Sequence, residues 1–231
     1  MREGSNIRGC VYMSVKRILK QNEMHRKEMG MLYPVPLLIL FLVLPIWFCA
    51  ILGNDLLDEY NKYGLFMSVT ELAIPFFSVF WIVLSAYDWV ESDGCELYYL
   101  YEKKPDRVAG FYAGVFHVLL FGSYLFYGYN LKGFFYEYVR IASICMFFQG
   151  LIVCLIYLLR SQVIAYFIAF LYILYSCFTC MNGDKNIFCY LNNMPKSMGQ
   201  DYFRSGCFLL MGIILWLVGA VACRGFWRFS K

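Results

Sequence analysis

Six apolar stretches, each long enough to cross a bilayer, fill most of this chain and leave it few folds to choose from. They cover residues 33–53, 64–87, 108–130, 139–159, 161–181 and 205–223. Each holds 19 to 24 residues, against the roughly 20 that a helix needs to span the hydrocarbon core. The composition agrees, with 61% hydrophobic and 20% aromatic residues. The expected fold is therefore an all-α membrane protein with one six-span domain, residues 33–223. Residues 1–32 precede it and a short tail, 224–231, follows. The spans leave no room for a soluble catalytic module. The first apolar run begins only after about thirty mostly polar residues and is itself long enough to span, so it reads as a retained span and not as a signal peptide.

Basic residues set the expected orientation. Fourteen of the twenty Lys and Arg residues lie before the first span, in the loop between spans two and three, at Arg160, or in the tail. The other six, Lys62, Lys132, Arg140, Lys185, Lys196 and Arg204, fall on the opposite side. By the positive-inside rule both termini and the 2–3 loop face the cytoplasm, in a cytoplasmic membrane. The net charge of +4 then reflects topology and anionic headgroups, with membrane lipid rather than nucleic acid as the polar partner. Before the first span, Ile7, Val11, Val15, Ile18 and Leu19 recur at helical spacing beside Arg8, Lys16, Arg17 and Lys20. That pattern suits an amphipathic helix lying in the inner interface, although a solvated basic tail has the same charges.

The loops are uneven. Spans four and five turn around at Arg160-Ser161-Gln162, a tight hairpin. Residues 182–204 form the longest outer segment and carry Ile187, Phe188, Tyr190, Leu191 and Met194, which predicts that the segment packs back onto the bundle or dips into the membrane. Of the ten cysteines, six besides Cys207, which stands at the start of span six, lie in spans, where Cys acts as a small hydrophobe. Only Cys189 and Cys207 are placed for a disulfide, and the pairing stays open.

Polar residues inside spans are costly and so draw attention. Glu71 lies about two turns into span two, ahead of Pro75. It is either a substrate or proton-sensitive contact in an outward-opening cavity, or a residue that snorkels to the outer interface or bonds a neighbouring helix. Gln149 and His117 are polar singletons that interhelical hydrogen bonds account for, Gln149 being the second candidate for a substrate path. Gly110-x-x-x-Gly114 opens span three and permits close helix packing. Catalytic patterns are missing from the sequence: there is no paired His/Glu motif, no Gly-x-Ser-x-Gly elbow and no Gly-x-x-x-x-Gly-Lys-Ser/Thr loop. Cys177-x-x-Cys180 has metal spacing but lies in a span without a second pair. The expectation is a non-enzymatic chain that binds no metal or cofactor.

The loop from Glu91 to Arg107 is the most informative local segment. Asp93 can cap a helix and Glu96, three residues on, can reach back to it. Leu97, Leu100 and Tyr101 share one face, Lys103 and Lys104 suit a helix C-terminus, and Pro105 ends the run. A short capped helix at the mouth of a bundle reads as a docking element.

With six spans, both ends inside and a long outer segment before the last span, the chain resembles a permease subunit of an ABC transporter of the type 2 exporter class. Members of that class often carry an acidic residue, a Gly, Glu-Leu and Pro-x-Arg in this loop, matched here by Glu91, Gly94, Glu96, Leu97, Pro105 and Arg107. The segment is similar to the family's coupling helix, although Tyr98, Tyr99 and Tyr101 depart from its usual Leu/Ser pattern. The resemblance implies ATPase-coupling roles for these residues, for Asp93, Tyr98, Leu100 and Tyr101, and for the Arg160 turn as a second, smaller contact. It also implies separate P-loop ATPase subunits that hold ATP and Mg, and a second permease copy, identical or different. The implied cargo is hydrophobic or amphipathic: a peptide, antibiotic or lipid-like molecule. Two other classes fit the same spans, a membrane immunity, assembly or sensor protein without transport, and a substrate-binding subunit of an importer.

Overall fold

The computed structural model describes residues 23, 27, 29–54, 58–91, 106–128, 134–181, 190–191 and 198–229. Among these every regular element is helical. Six helices are long and apolar enough to cross a membrane: Gly30–Leu52, Gly64–Tyr87, Arg107–Tyr127, Phe135–Leu159, Gln162–Cys180 and Tyr202–Cys223. Their number and lengths are consistent with a multi-pass helical membrane protein, as the hydropathy pattern predicts. Residues 7–22 of the amphipathic segment 7–31, and most of the Glu91–Arg107 loop, from Ser92 to Pro105, lie outside the described residues.

Residues up to Val35 and residues from Pro36 onward form two compact units. In the first, Lys27 meets Glu23 at 3.4 Å, one helical turn apart, and Gly30 adopts a φ of 53° that a side chain would disfavour. In the second, a π-turn at Ile39–Val43 runs into α1 (Leu44–Leu52). Pro45 cannot donate to the carbonyl one turn before it, so the helix widens there. The second span consists of two helices, α2 (Glu59–Ser78) and α3 (Phe80–Val90), separated at Val79. α4 (Asp106–Gly128), α5 (Phe134–Leu159), α6 (Gln162–Met181) and α7 (Met198–Phe229) supply the other four.

α5 is the hub. It packs on both halves of span two and on α4, α6 and α7, and 67% of its apolar window is buried, against 22% for the last span. Its approach to α7 is closest at glycines. A Cβ built on Gly150 would stand 2.2 Å from the Gly212 carbonyl oxygen, and one on Gly219 would stand 3.0 Å from the Cys154 backbone. Side chains are excluded there, so the two backbones touch. Phe48, Phe66 and Tyr127 join the first three spans in a cluster with ring centroids 4.9 to 5.1 Å apart, in the tilted and edge-on geometries that ring quadrupoles favour.

Where it is described before the last helix, the segment 182–204 packs onto the bundle, one of the two placements its apolar content predicts. Tyr190 is buried, 5.1 Å from Phe148 and stacked on Tyr172 at 6.1 Å. The last helix begins at Met198, seven residues before the stretch read from hydropathy, because Arg204 and its neighbours continue the helix beyond the apolar part. Cys207 forms no disulfide among the described residues, and Cys189 lies outside them.

Candidate functional site

Two polar constellations tie span two to its neighbours, one at each end. The first is built on Glu91. α3 stops there, with the Glu91 N–H donating to the Tyr87 carbonyl at 3.0 Å. Its carboxylate Oε1 then accepts from the Ser161 hydroxyl and from the Gln162 backbone N–H, both at 2.9 Å. Gln162 opens α6, so Glu91 satisfies one of the amide groups that a helix start leaves without an internal partner. A carboxylate also suits the positive end of the helix dipole. Ser161 works in both directions. Its hydroxyl donates to Glu91 and accepts from the Ile164 N–H at 3.5 Å, the geometry of an N-cap.

The turn that presents Ser161 is as tight as the sequence implies. α5 ends at Leu159, and Arg160 takes a φ of 54° while its N–H closes on the Ile156 carbonyl at 2.9 Å. This left-handed residue at a helix C-terminus is where glycine is usual. Glu91 and the Arg160 turn, which belong to two different loops of the resemblance, thus meet at one joint. Arg107 lies in the first turn of α4 and is exposed. Asp93, Gly94, Glu96, Leu97, Tyr98, Leu100, Tyr101 and Pro105 lie outside the described residues.

The second constellation is built on Glu71, which is 1% exposed. It pairs with the Arg140 guanidinium of α5, whose Nε donates to Glu137 at 2.9 Å. Of the sequence readings of Glu71, the bond to a neighbouring helix is the arrangement present, and its burial rules out a side chain that snorkels to the interface. Arg140 corrects the charge count, in which it stood among the cations of the outer face. It is 9% exposed within α5, drawn in because a buried carboxylate needs a cation close by. The signal was available: Glu137 and Arg140 are one helical turn apart and share a face.

Between these ends, Gln149 donates its amide to the Ser78 carbonyl at 3.3 Å, the interhelical bond expected of a polar singleton. The ring nitrogens of His117 lie 2.8 Å from the Ala113 carbonyl oxygen and 3.3 Å from that of Ala142 on α5. Glycine is where the sequence reading misplaced the contact. Gly110 and Gly114 border an open groove of about 540 Å³ between α4, α5 and α7, lined also by Tyr138, Met146 and Trp216. No atom of the described residues lies within 4 Å of a Cβ built on Gly114, whereas Gly150, Gly212 and Gly219 make the close approach. Glu71 and Gln149 do not line this groove. Among the described residues no three His, Cys, Asp or Glu side chains gather in a way that would hold a metal ion.

Comparison with protein-family models, curated proteins and solved structures finds no match.

Proposed function

We propose that this chain is the membrane subunit of an ATP-driven exporter of the type 2 ABC class, moving a hydrophobic or amphipathic cargo across the cytoplasmic membrane. The observation that carries the reading is the Glu91 joint. The loop after span two and the turn between spans four and five are the two segments assigned to ATPase contact, and Glu91 bonds one to the other. A force delivered to either segment reaches the start of α6 and the end of α3 together. On this reading the joint faces the cytoplasm, as the excess of basic residues on that side implies, and residues 93–102 form the coupling helix in a groove of the ATPase. The basic helix at residues 7–31 lies in the inner interface.

ATP and Mg belong to the partner subunits. Nucleotide-driven closure of two ATPases shifts both coupling helices, and the spans of two permeases move from an inward-facing to an outward-facing state. The test is purification of the tagged chain from its native host in mild detergent, with mass spectrometry of what accompanies it. A stoichiometric P-loop ATPase that is lost when Leu97, Tyr98 and Tyr101 are replaced by Ala supports the reading. A homo-oligomer free of ATPase overturns it in favour of an immunity, assembly or sensor protein.

A further inference from the structure

Span two is interrupted at mid-length, and each half is fastened to a different neighbour. α2 ends at Ser78, Val79 takes φ −91° and ψ −10°, and α3 begins at Phe80. The local chemistry accounts for the break. Pro75 has no N–H to donate, and its ring crowds the carbonyl of Glu71 one turn before. The Ser78 hydroxyl then folds back onto the Pro75 carbonyl at 2.7 Å, and the helical ladder resumes with the Val83 N–H on the Val79 carbonyl at 2.9 Å. A backbone carbonyl released at such a break needs another donor when no water is near. The Ser78 carbonyl finds one in the Gln149 amide of α5. Gln149 is fully buried, and its own Oε1 has no hydrogen-bond partner among the described residues. A buried acceptor in that state is costly, so only half of the Gln149 amide is satisfied in the arrangement described.

We infer that Ser78–Phe80 is a hinge in span two and that the Gln149 amide is its latch. The two halves have separate anchors. α2 is held to α5 by the Glu71–Arg140 pair, and α3 is held to the start of α6 through Glu91 and Ser161. Bending at Val79 swings α3, Glu91 and the first turn of α6 together while the Glu71–Arg140 pair stays intact. In the second position the Gln149 amide turns away from the Ser78 carbonyl, and its Oε1 gains a donor. The break and its latch are geometric and hold whether or not an ATPase drives the motion, so this inference stands apart from the exporter reading.

Trp81 is a native reporter. It lies just past the break, is buried, and packs with ring centroids 6.0 Å from Tyr112 and 6.4 Å from Phe116 on α4. The full chain, carrying 5-fluorotryptophan at its five tryptophans and reconstituted in nanodiscs, is followed by fluorine NMR, with Trp81→Phe assigning the signal. The expected result is two exchanging Trp81 resonances in the wild type. Their ratio shifts by several-fold in Gln149→Leu, and they collapse to one in Pro75→Ala, while Trp216 stays unchanged throughout. A single Trp81 resonance in the wild type, or a pair that persists in the same ratio in Pro75→Ala, overturns the hinge. An unshifted ratio in Gln149→Leu overturns the latch. Pro75→Ala restores a helix donor and removes little packing, so the hinge test remains if Gln149→Leu does not fold.

Discussion

The carboxylate of Glu91 and the hydroxyl of Ser161 meet at 2.9 Å across seventy residues of chain. Neither residue lies on the apolar face of a span, so their contact is a product of the fold and not of hydropathy. A half-buried charge-assisted bond of this kind is worth about 1.5–3 kcal/mol. Glu91→Ala is expected to lower stability by about that amount. Ser161→Ala loses both the bond and the cap, at a cost of about 1–2 kcal/mol. The double substitution should cost less than the sum of the two, because the residues share one interaction. Thermal unfolding of the four proteins in one detergent checks this, and strict additivity would dissolve the joint.

The buried cluster at the other end of span two predicts an order of damage. Arg140→Met leaves Glu71 and Glu137 without the guanidinium they share, and breaking a buried pair in this way costs about 3–5 kcal/mol. Glu71→Gln keeps a polar group of nearly the same shape and leaves the Arg140–Glu137 bond in place, so it should be the milder change. Fluorescence-detected size exclusion after a heating series reads the order directly. Equal losses would mean that Arg140 serves Glu71 alone.

How far the sequence carries is clearest at this cluster. Glu71 stood out because a carboxylate within an apolar run has few explanations. Arg140 did not, because the positive-inside rule treats every cation near a span end as a surface charge. A cation turned inward by a partner in another span is invisible to such a count, and removing it leaves five on the side read as outer against fourteen on the side read as cytoplasmic. The six spans, the tight Arg160 turn and the inward packing of Tyr190 were legible because each depends on local pattern alone. The Glu91–Ser161 joint was not, since it depends on which helices become neighbours.

Glycine substitutions should separate a true contact from a familiar motif. Gly150→Ala drives a methyl into the Gly212 carbonyl, and overpacking of this kind costs about 1–3 kcal/mol or more where backbone must yield. Gly114→Ala meets no atom of the described residues and should stabilise α4 by about 0.5–1 kcal/mol, the ordinary gain of Ala over Gly inside a helix. Melting temperatures of opposite sign are the expected readout. A destabilised Gly114→Ala would mean that this face is occupied in the membrane.

Arg160 offers a backbone test. A left-handed conformation costs a residue with a Cβ about 1–2 kcal/mol, so Arg160→Gly should raise stability by up to that amount. The loss of whatever its side chain contributes works against the gain. Arg160→Ala keeps the backbone cost and removes the same side chain. The difference between the two variants in a denaturation series therefore isolates the turn.

The glycine seam between α5 and α7 restricts the freedom of the whole bundle. Two helices whose backbones interlock at Gly150 and Gly212 cannot ratchet past one another by a turn, because the intermediate positions would drive main-chain atoms together. They form a single stator. Displacement of the other helices is measured against that fixed pair, and any stroke this protein makes is delivered by the spans that lack such a seam.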